Sequence, residues 1–193
     1  RQLTHKGYSS ITIEQIKNKI LKSLTDEGNR CVELGYELLM NTYQTKSSST
    51  EFVVGVFSRS STMKSILQRV IDDDTSAKVR VVCSQSTPGD EGILMATDIS
   101  AALCLPDDEF RQQITDGKID IVIVGADCVL SEGRGVVNKI GTAALASICK
   151  QASVPIISCT DRWKLWTDVY CPPLEVIFEL IPSELFDQVL VPN

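Results

Sequence analysis

The stretch that most constrains this chain is residues 119–155, IDIVIVGADCVLSEGRGVVNKIGTAALASICKQASVP. It opens on a β-branched run, Ile119 to Val124, broken only by Asp120 and closed by the turn Gly125-Ala126-Asp127. A run of this kind bounded by turn residues reads as a parallel strand buried on both faces. Ligands of open α/β sheets bind outside the carboxyl ends of such strands, which is where Asp127 falls. The loop Ser131-Glu132-Gly133-Arg134-Gly135 can bend back because glycine tolerates positive φ. A helix is expected from about Lys139, opened by Asn138, Lys139, Gly141 and Thr142. Its N–H groups and dipole would suit an anion such as a phosphate. A carboxylate, an amide, an ammonium and a helix N-terminus would then share one crevice.

The same strand-then-polar-turn pattern recurs along the chain. Phe52 to Phe57 reads as a first buried strand, followed by Ser58-Arg59-Ser60-Ser61-Thr62 and a helix through Met63, Ile66, Leu67, Val70 and Ile71. The Ser/Thr turn is either a helix cap or an anion site made of hydroxyls, backbone N–H groups and Arg59. Lys78 to Cys83 is a second strand, leading into the polar loop that begins Gln85-Ser86-Thr87-Pro88. Residues 93–104 allow two parses: one helix, or a short strand Ile93–Ala96 ending at Thr97-Asp98 with a helix after it. Phe110 to Thr115 is a short helix or turn. Val154 to Cys159 is another buried strand, Arg162 to Tyr170 is amphipathic and aromatic, and Glu175–Leu180 and Val189–Val191 are late strands. Trp163 and Trp166 form either an exposed patch for a partner or part of the packing against the sheet. Strands alternating with helical stretches predict an α/β fold, a mostly parallel sheet with helices on both faces.

A helical segment precedes it. Ile13, Ile16, Ile20, Leu21 and Leu24 recur at helical spacing, with Thr12 as a candidate N-cap. The pattern runs to about Met40 as one long helix, or as two that meet near Gly28. The expected organisation is therefore a helical segment over 1–46 and an α/β domain over 47–193.

Composition removes several function classes. The net charge is −6 over 193 residues, which speaks against non-specific binding of nucleic acid or anionic membrane. No apolar run reaches the ~18 residues of a membrane-spanning helix. The seven cysteines lack close spacing and His5 is the single histidine, so no metal site is expected. Scattered, mostly buried thiols fit a cytoplasmic protein. No cofactor is called for.

The string Gly125-Ala126-Asp127, ten residues, then Asn138-Lys139-Ile140-Gly141-Thr142, resembles one family. It joins the alpha, beta and delta regulatory subunits of translation initiation factor 2B with methylthioribose-1-phosphate and ribose-1,5-bisphosphate isomerases. The resemblance runs from about residue 28 to 190. It implies the family's Rossmann-like C-terminal domain, preceded by the last part of a helical domain. In the isomerases the matching Asp is a catalytic acid/base, a role the resemblance carries to Asp127. Asn138 and Lys139 would hold a sugar phosphate, with Ser58, Arg59, Ser60, Ser61, Gln85, Ser86 and Thr87 around it. The resemblance also implies a homodimer or larger assembly, including one with related subunits.

Three departures matter. The catalytic cysteine of the isomerases has Ser58 at its position, and a hydroxyl is a far poorer acid or nucleophile near neutral pH. The family's Glu-Ser-Arg-Pro stands here as Gln85-Ser86-Thr87-Pro88, without the guanidinium suited to phosphate. If Thr97-Asp98 is the family's Thr-Asp turn, Ile93–Ala96 is a strand and one crossover helix is short or missing around 89–96. These departures favour a non-catalytic, regulatory-subunit-like protein with a sugar-phosphate or nucleotide pocket. The intact Asp127, Asn138 and Lys139 keep a divergent sugar-phosphate isomerase as the alternative.

Overall fold

The computed structural model describes residues 13–46, 51–73, 79–99, 102–167, 174 and 176–192. Six strands form one parallel sheet: β1 (Phe52–Phe57), β2 (Val79–Ser84), β3 (Leu103–Leu105), β4 (Ile121–Val124), β7 (Ile156–Cys159) and β10 (Gln188–Leu190). Their spatial order is β10-β7-β4-β1-β2-β3, with every adjacent pair parallel. Counted along the chain, that is the doubly wound 3-2-1-4-5-6 order of the Rossmann fold.

Alternation along the strands separates two cores. Phe52, Val54 and Val56 of β1 face one side, with Val81, Cys83, Ile121 and Ile123. There they meet α1 (Ile13–Thr45), α2 (Ser61–Ile71) and α3 (Glu91–Asp98) through Leu39, Met63, Leu67 and Met95. Val53 and Phe57 face the other side with Val82, Val122 and Val124. That side is covered by α4 (Asp107–Thr115) and α5 (Thr142–Ala152) through Phe110, Ile114, Leu145 and Cys149. A sheet covered on both faces needs apolar side chains at every strand position, and β1 and β4 are buried throughout. Asp120, which interrupts the apolar run, accepts the Val53 N–H at 2.7 Å and pairs with Lys46. It fastens the end of α1 to the start of the sheet.

A smaller mixed sheet has the order β8-β5-β6-β9, made of β5 (Cys128–Leu130), β6 (Gly135–Lys139), β8 (Leu165–Trp166) and β9 (Phe178–Ile181). It corrects the reading of 128–139. The glycine-rich loop is the turn of the β5–β6 hairpin, with Leu130 opposite Gly135. Asn138 and Lys139 end a strand, and the helix begins only at Thr142. All five residues of β6 are buried, including the polar Asn138 and Lys139, so the strand shows no apolar alternation, and five residues between turn signals are too few to show a period. The amphipathic stretch after β7 is likewise a 3-10 turn, Arg162–Lys164, running into β8. Trp163 and Trp166 are 57% and 38% exposed, so neither is buried against the sheet. Tyr170 lies outside the described residues.

Residues 91–99 and 102–105 settle the two parses of the stretch that follows the β2 loop. Ile93–Ala96 is helical, within α3, and the strand after it is β3. Both elements between the β2 loop and the next polar turn are therefore present, and no crossover is missing. The turn at the carboxyl end of the strand is Pro106-Asp107, not Thr97-Asp98. α1 is one helix of 33 residues, about 50 Å at 1.5 Å per residue, and Gly28 does not break it. Thr12, the candidate cap, lies outside the described residues.

Two glycines predict opposite mutational outcomes. A Cβ on Gly92, in the first turn of α3, would lie 1.6 Å from the Ser84 carbonyl oxygen, so only glycine lets α3 pack on the end of β2. Gly92→Ala is expected to cost at least about 3 kcal/mol in urea unfolding. Gly28 has nothing within 4 Å of such a Cβ, and Gly28→Ala should stabilise by about 0.5–1 kcal/mol.

Candidate functional site

In a 3-2-1-4-5-6 sheet the crossovers diverge between β1 and β4, which leaves a crevice at their carboxyl ends. Val54 pairs with Ile121 and Phe57 with Val124, so the two strands end side by side. After β1 the chain turns at Ser58, which has a φ of 65°. Ser60 then caps α2, its hydroxyl accepting the Met63 N–H at 3.4 Å. After β4 comes Gly125, where a Cβ would lie 2.7 Å from the Ser60 hydroxyl oxygen. The glycine of the Gly-Ala-Asp turn thus lets the two loops close against each other. The Asp127 N–H bonds the Val137 carbonyl at 2.9 Å, tying that turn to the hairpin.

The crevice has a volume of about 270 Å³, near the lower end of the ~300–1,000 Å³ usual for small-molecule sites. Ser58, Arg59, Ser60, Ser61, Asp127, Asn138 and Lys139 all line it. Gln85, Ser86 and Thr87 do not. Gln85 donates to Asp90 at 2.9 Å. Ser86 is fully buried, and its hydroxyl accepts the Ser58 N–H at 2.6 Å and donates to the Ser84 carbonyl. Ser86 thus holds the β1 loop from behind. At the N-terminus of α5 the Ala143 N–H is already taken by the Glu179 carboxylate, which accepts it at 2.9 Å.

Two charged residues escaped the sequence reading. Lys164 follows the carboxyl end of β7, lines the crevice, and donates to the Ala126 carbonyl at 2.7 Å. Its position after a strand was the available signal, but the neighbouring tryptophans dominated the pattern. Glu91 is the first residue of α3 and also lines the crevice. Nothing in the polar loop distinguished it from Asp90.

The electrostatics are mixed. Asp127 opens to solvent, yet desolvation on its protein side raises its pKa above the ordinary carboxylate value, with the Lys164 ammonium opposing the shift. Burial lowers the Lys139 pKa from that of an ordinary lysine, with Asp90 opposing. Arg59 donates to Asp98 at 2.9 Å and, with Lys64, holds that carboxyl below its usual range. Behind the site, burial would raise the pKa of Asp107. Donors from the Ser84 hydroxyl and the Thr87 and Ser86 N–H groups outweigh it and hold the pKa low. The crevice offers the Asp127 carboxyl with its raised pKa, the Glu91 carboxylate, three cations and a helix N-terminus at α2. That set suits a small anionic ligand with hydroxyl groups.

A Rossmann-type domain with its crevice at the switch point defines the class. Residues 2–188 match the model of the initiation factor 2 subunit family, and the chain belongs to that family. Among relatives, it is 30% identical over 116 residues to a ribose 1,5-bisphosphate isomerase of Methanocaldococcus jannaschii, which is 58% of this chain and 37% of that protein. It is 54% identical over 69 residues to a methylthioribose-1-phosphate isomerase of Aquifex aeolicus, 36% of this chain and 15% of that protein. The chain thus spans well under half the length of either curated relative. The fold is shared with the translation initiation factor eIF-2B of Pyrococcus horikoshii OT3, at a TM-score of 0.70 and 19% identity, covering 91% of this chain and 66% of that one. It is also shared with the 5-methylthioribose 1-phosphate isomerase of that organism, at 0.70 and 16%, covering 94% and 60%.

The two aspartates predict opposite pH behaviour. A folded-state pKa raised for Asp127 means its charged form costs stability above that pKa. Asp127→Asn should raise the melting temperature at pH 7, and the gain should vanish below about pH 3.8, where both states are protonated. Asp107 is depressed, so its contribution is present above the ordinary carboxylate pKa and is lost as pH falls through the lower folded value. Asp107→Ala should cost about 1.5–3 kcal/mol at pH 7 and progressively less in acid.

Proposed function

We propose that this chain is a regulatory-subunit-like member of its family that binds a phosphorylated sugar or nucleotide in the β1/β4 crevice without turning it over. The observation that carries the reading is the make-up of the crevice wall, which combines cations, a helix N-terminus and the Asp127 carboxyl with a serine where the isomerases keep a thiol. The described cysteines lie elsewhere, and burial pushes the Cys83 and Cys149 thiols up to about 12. A second reading, a divergent sugar-phosphate isomerase, is favoured by the raised pKa of Asp127 and by the isomerase names of the sequence relatives.

The test is a thermal-shift series with ribose 1,5-bisphosphate, methylthioribose 1-phosphate, hexose phosphates and nucleoside monophosphates, followed by an isomerase assay. Binding to the native state alone stabilises by about 2.7 kcal/mol at a hundredfold excess over Kd. A shift with no turnover is expected. Turnover abolished by Asp127→Asn would establish the isomerase instead, and the absence of any shift would remove the pocket.

The partner implied is a second copy or a related subunit, acting in the cytoplasm. No helix among the described residues is long and apolar enough to cross a membrane. A tetrameric eIF2B-beta2-delta2 complex is among the structural neighbours, at a TM-score of 0.62 and 15% identity. Trp163, Leu165, Trp166 and Leu180 expose apolar surface around the smaller sheet, an arrangement that suits burial against a partner. Sedimentation should show a dimer or larger species, and Trp166→Glu should shift it towards monomer. A wild-type monomer would remove this surface from consideration.

A further inference from the structure

An ammonium has three N–H donors and no acceptor. Lys139 donates to the Ser86 carbonyl at 2.5 Å and to the Pro88 carbonyl, and its charge stands in an ion pair with the Glu91 carboxylate, whose paired oxygen is buried and makes no hydrogen bond. The two carbonyls are fixed. Their loop is held by Asp107, which accepts the N–H groups of Ser86 at 2.6 Å and Thr87 at 2.9 Å. Glu91 is held differently. Its side chain is 36% exposed against 6% for Lys139, and it stands at the first residue of α3 on the wall of the crevice. A rotation about its own side-chain bonds carries the carboxylate into water while the backbone stays in place.

We propose that Glu91 sets the ligand selectivity of the crevice: its carboxylate occupies the anion position at Lys139, and a ligand phosphate reaches that ammonium only by displacing it. The inference rests on the reading of the crevice as a site for phosphorylated compounds. It adds that Lys139 carries a built-in competitor of the ligand. A carboxylate is a singly charged acceptor, whereas a phosphate monoester brings more charge and three oxygens. The exchange therefore favours phosphate esters over carboxylates, and a neutral sugar gains nothing from it. Competition by a tethered anion also lowers the apparent affinity, since only the fraction of molecules with Glu91 swung out binds.

The test uses inorganic phosphate as the probe, titrated by calorimetry into the wild type, Glu91→Gln and Glu91→Ala, and into Lys139→Met with and without Glu91→Gln. The glutamine keeps an oxygen for Lys139, and the alanine removes the side chain, so the pair guards against a local folding defect. Removing the competing charge should tighten phosphate binding at least tenfold in both Glu91 variants. The gain should disappear in the Lys139→Met background, because it acts through that ammonium. Equal or weaker binding in both Glu91 variants, or a gain that survives without Lys139, overturns the inference while leaving the crevice reading intact. Failure of every protein to bind phosphate or any sugar phosphate overturns both.

Discussion

One buried ammonium ties the two sheets together. Lys139 ends β6 in the smaller sheet, and its donors go to the loop after β2 in the larger one. An unpaired charge in that place would be costly, so the loop must present oxygens to it. Asp107 makes this possible by fixing the loop from the opposite side through backbone N–H groups. Ser86, in the same loop, then positions Ser58. A chain of polar contacts thus runs from the start of α4 through the β2 loop to the end of β1 and fixes the crevice wall.

The crevice itself follows from topology. Crossovers that place α1, α2 and α3 on one face and α4 and α5 on the other must part between β1 and β4. Gly125 lets the two loops at that point touch, and the hairpin inserted after β4 supplies Asn138 and Lys139 from the side. The site therefore depends on three separate returns of the chain to the same end of the sheet.

Much of this was legible in the sequence. Buried parallel strands announce themselves as β-branched runs, and β1, β2, β4 and β7 were readable because both of their faces are covered. The rule that places ligands at strand carboxyl ends singles out Ser58–Ser61 and Asp127, which line the crevice between β1 and β4. What was hidden was non-local. The three- and five-residue strands of the hairpin are too short to show a period, so in the sequence Asn138 and Lys139 look like a helix start. The capture of Lys139 by the β2 loop, 51 to 53 residues away in sequence, leaves no local trace. The same holds for Glu179 at the start of α5. Ile93–Ala96 was ambiguous because four apolar residues fit either period, and tertiary packing of Met95 decided for the helix.

The central claim is that the loops after β1, β4 and β6 form one ligand site. Amide chemical-shift mapping of the full chain with methylthioribose 1-phosphate tests it most directly, because it reports position without presupposing catalysis. The account predicts saturable shifts concentrated at residues 58–61, 125–127, 138–139 and 91. Saturable shifts that leave these segments unmoved and cluster elsewhere, such as the groove between Lys150 and Asp187, would contradict it.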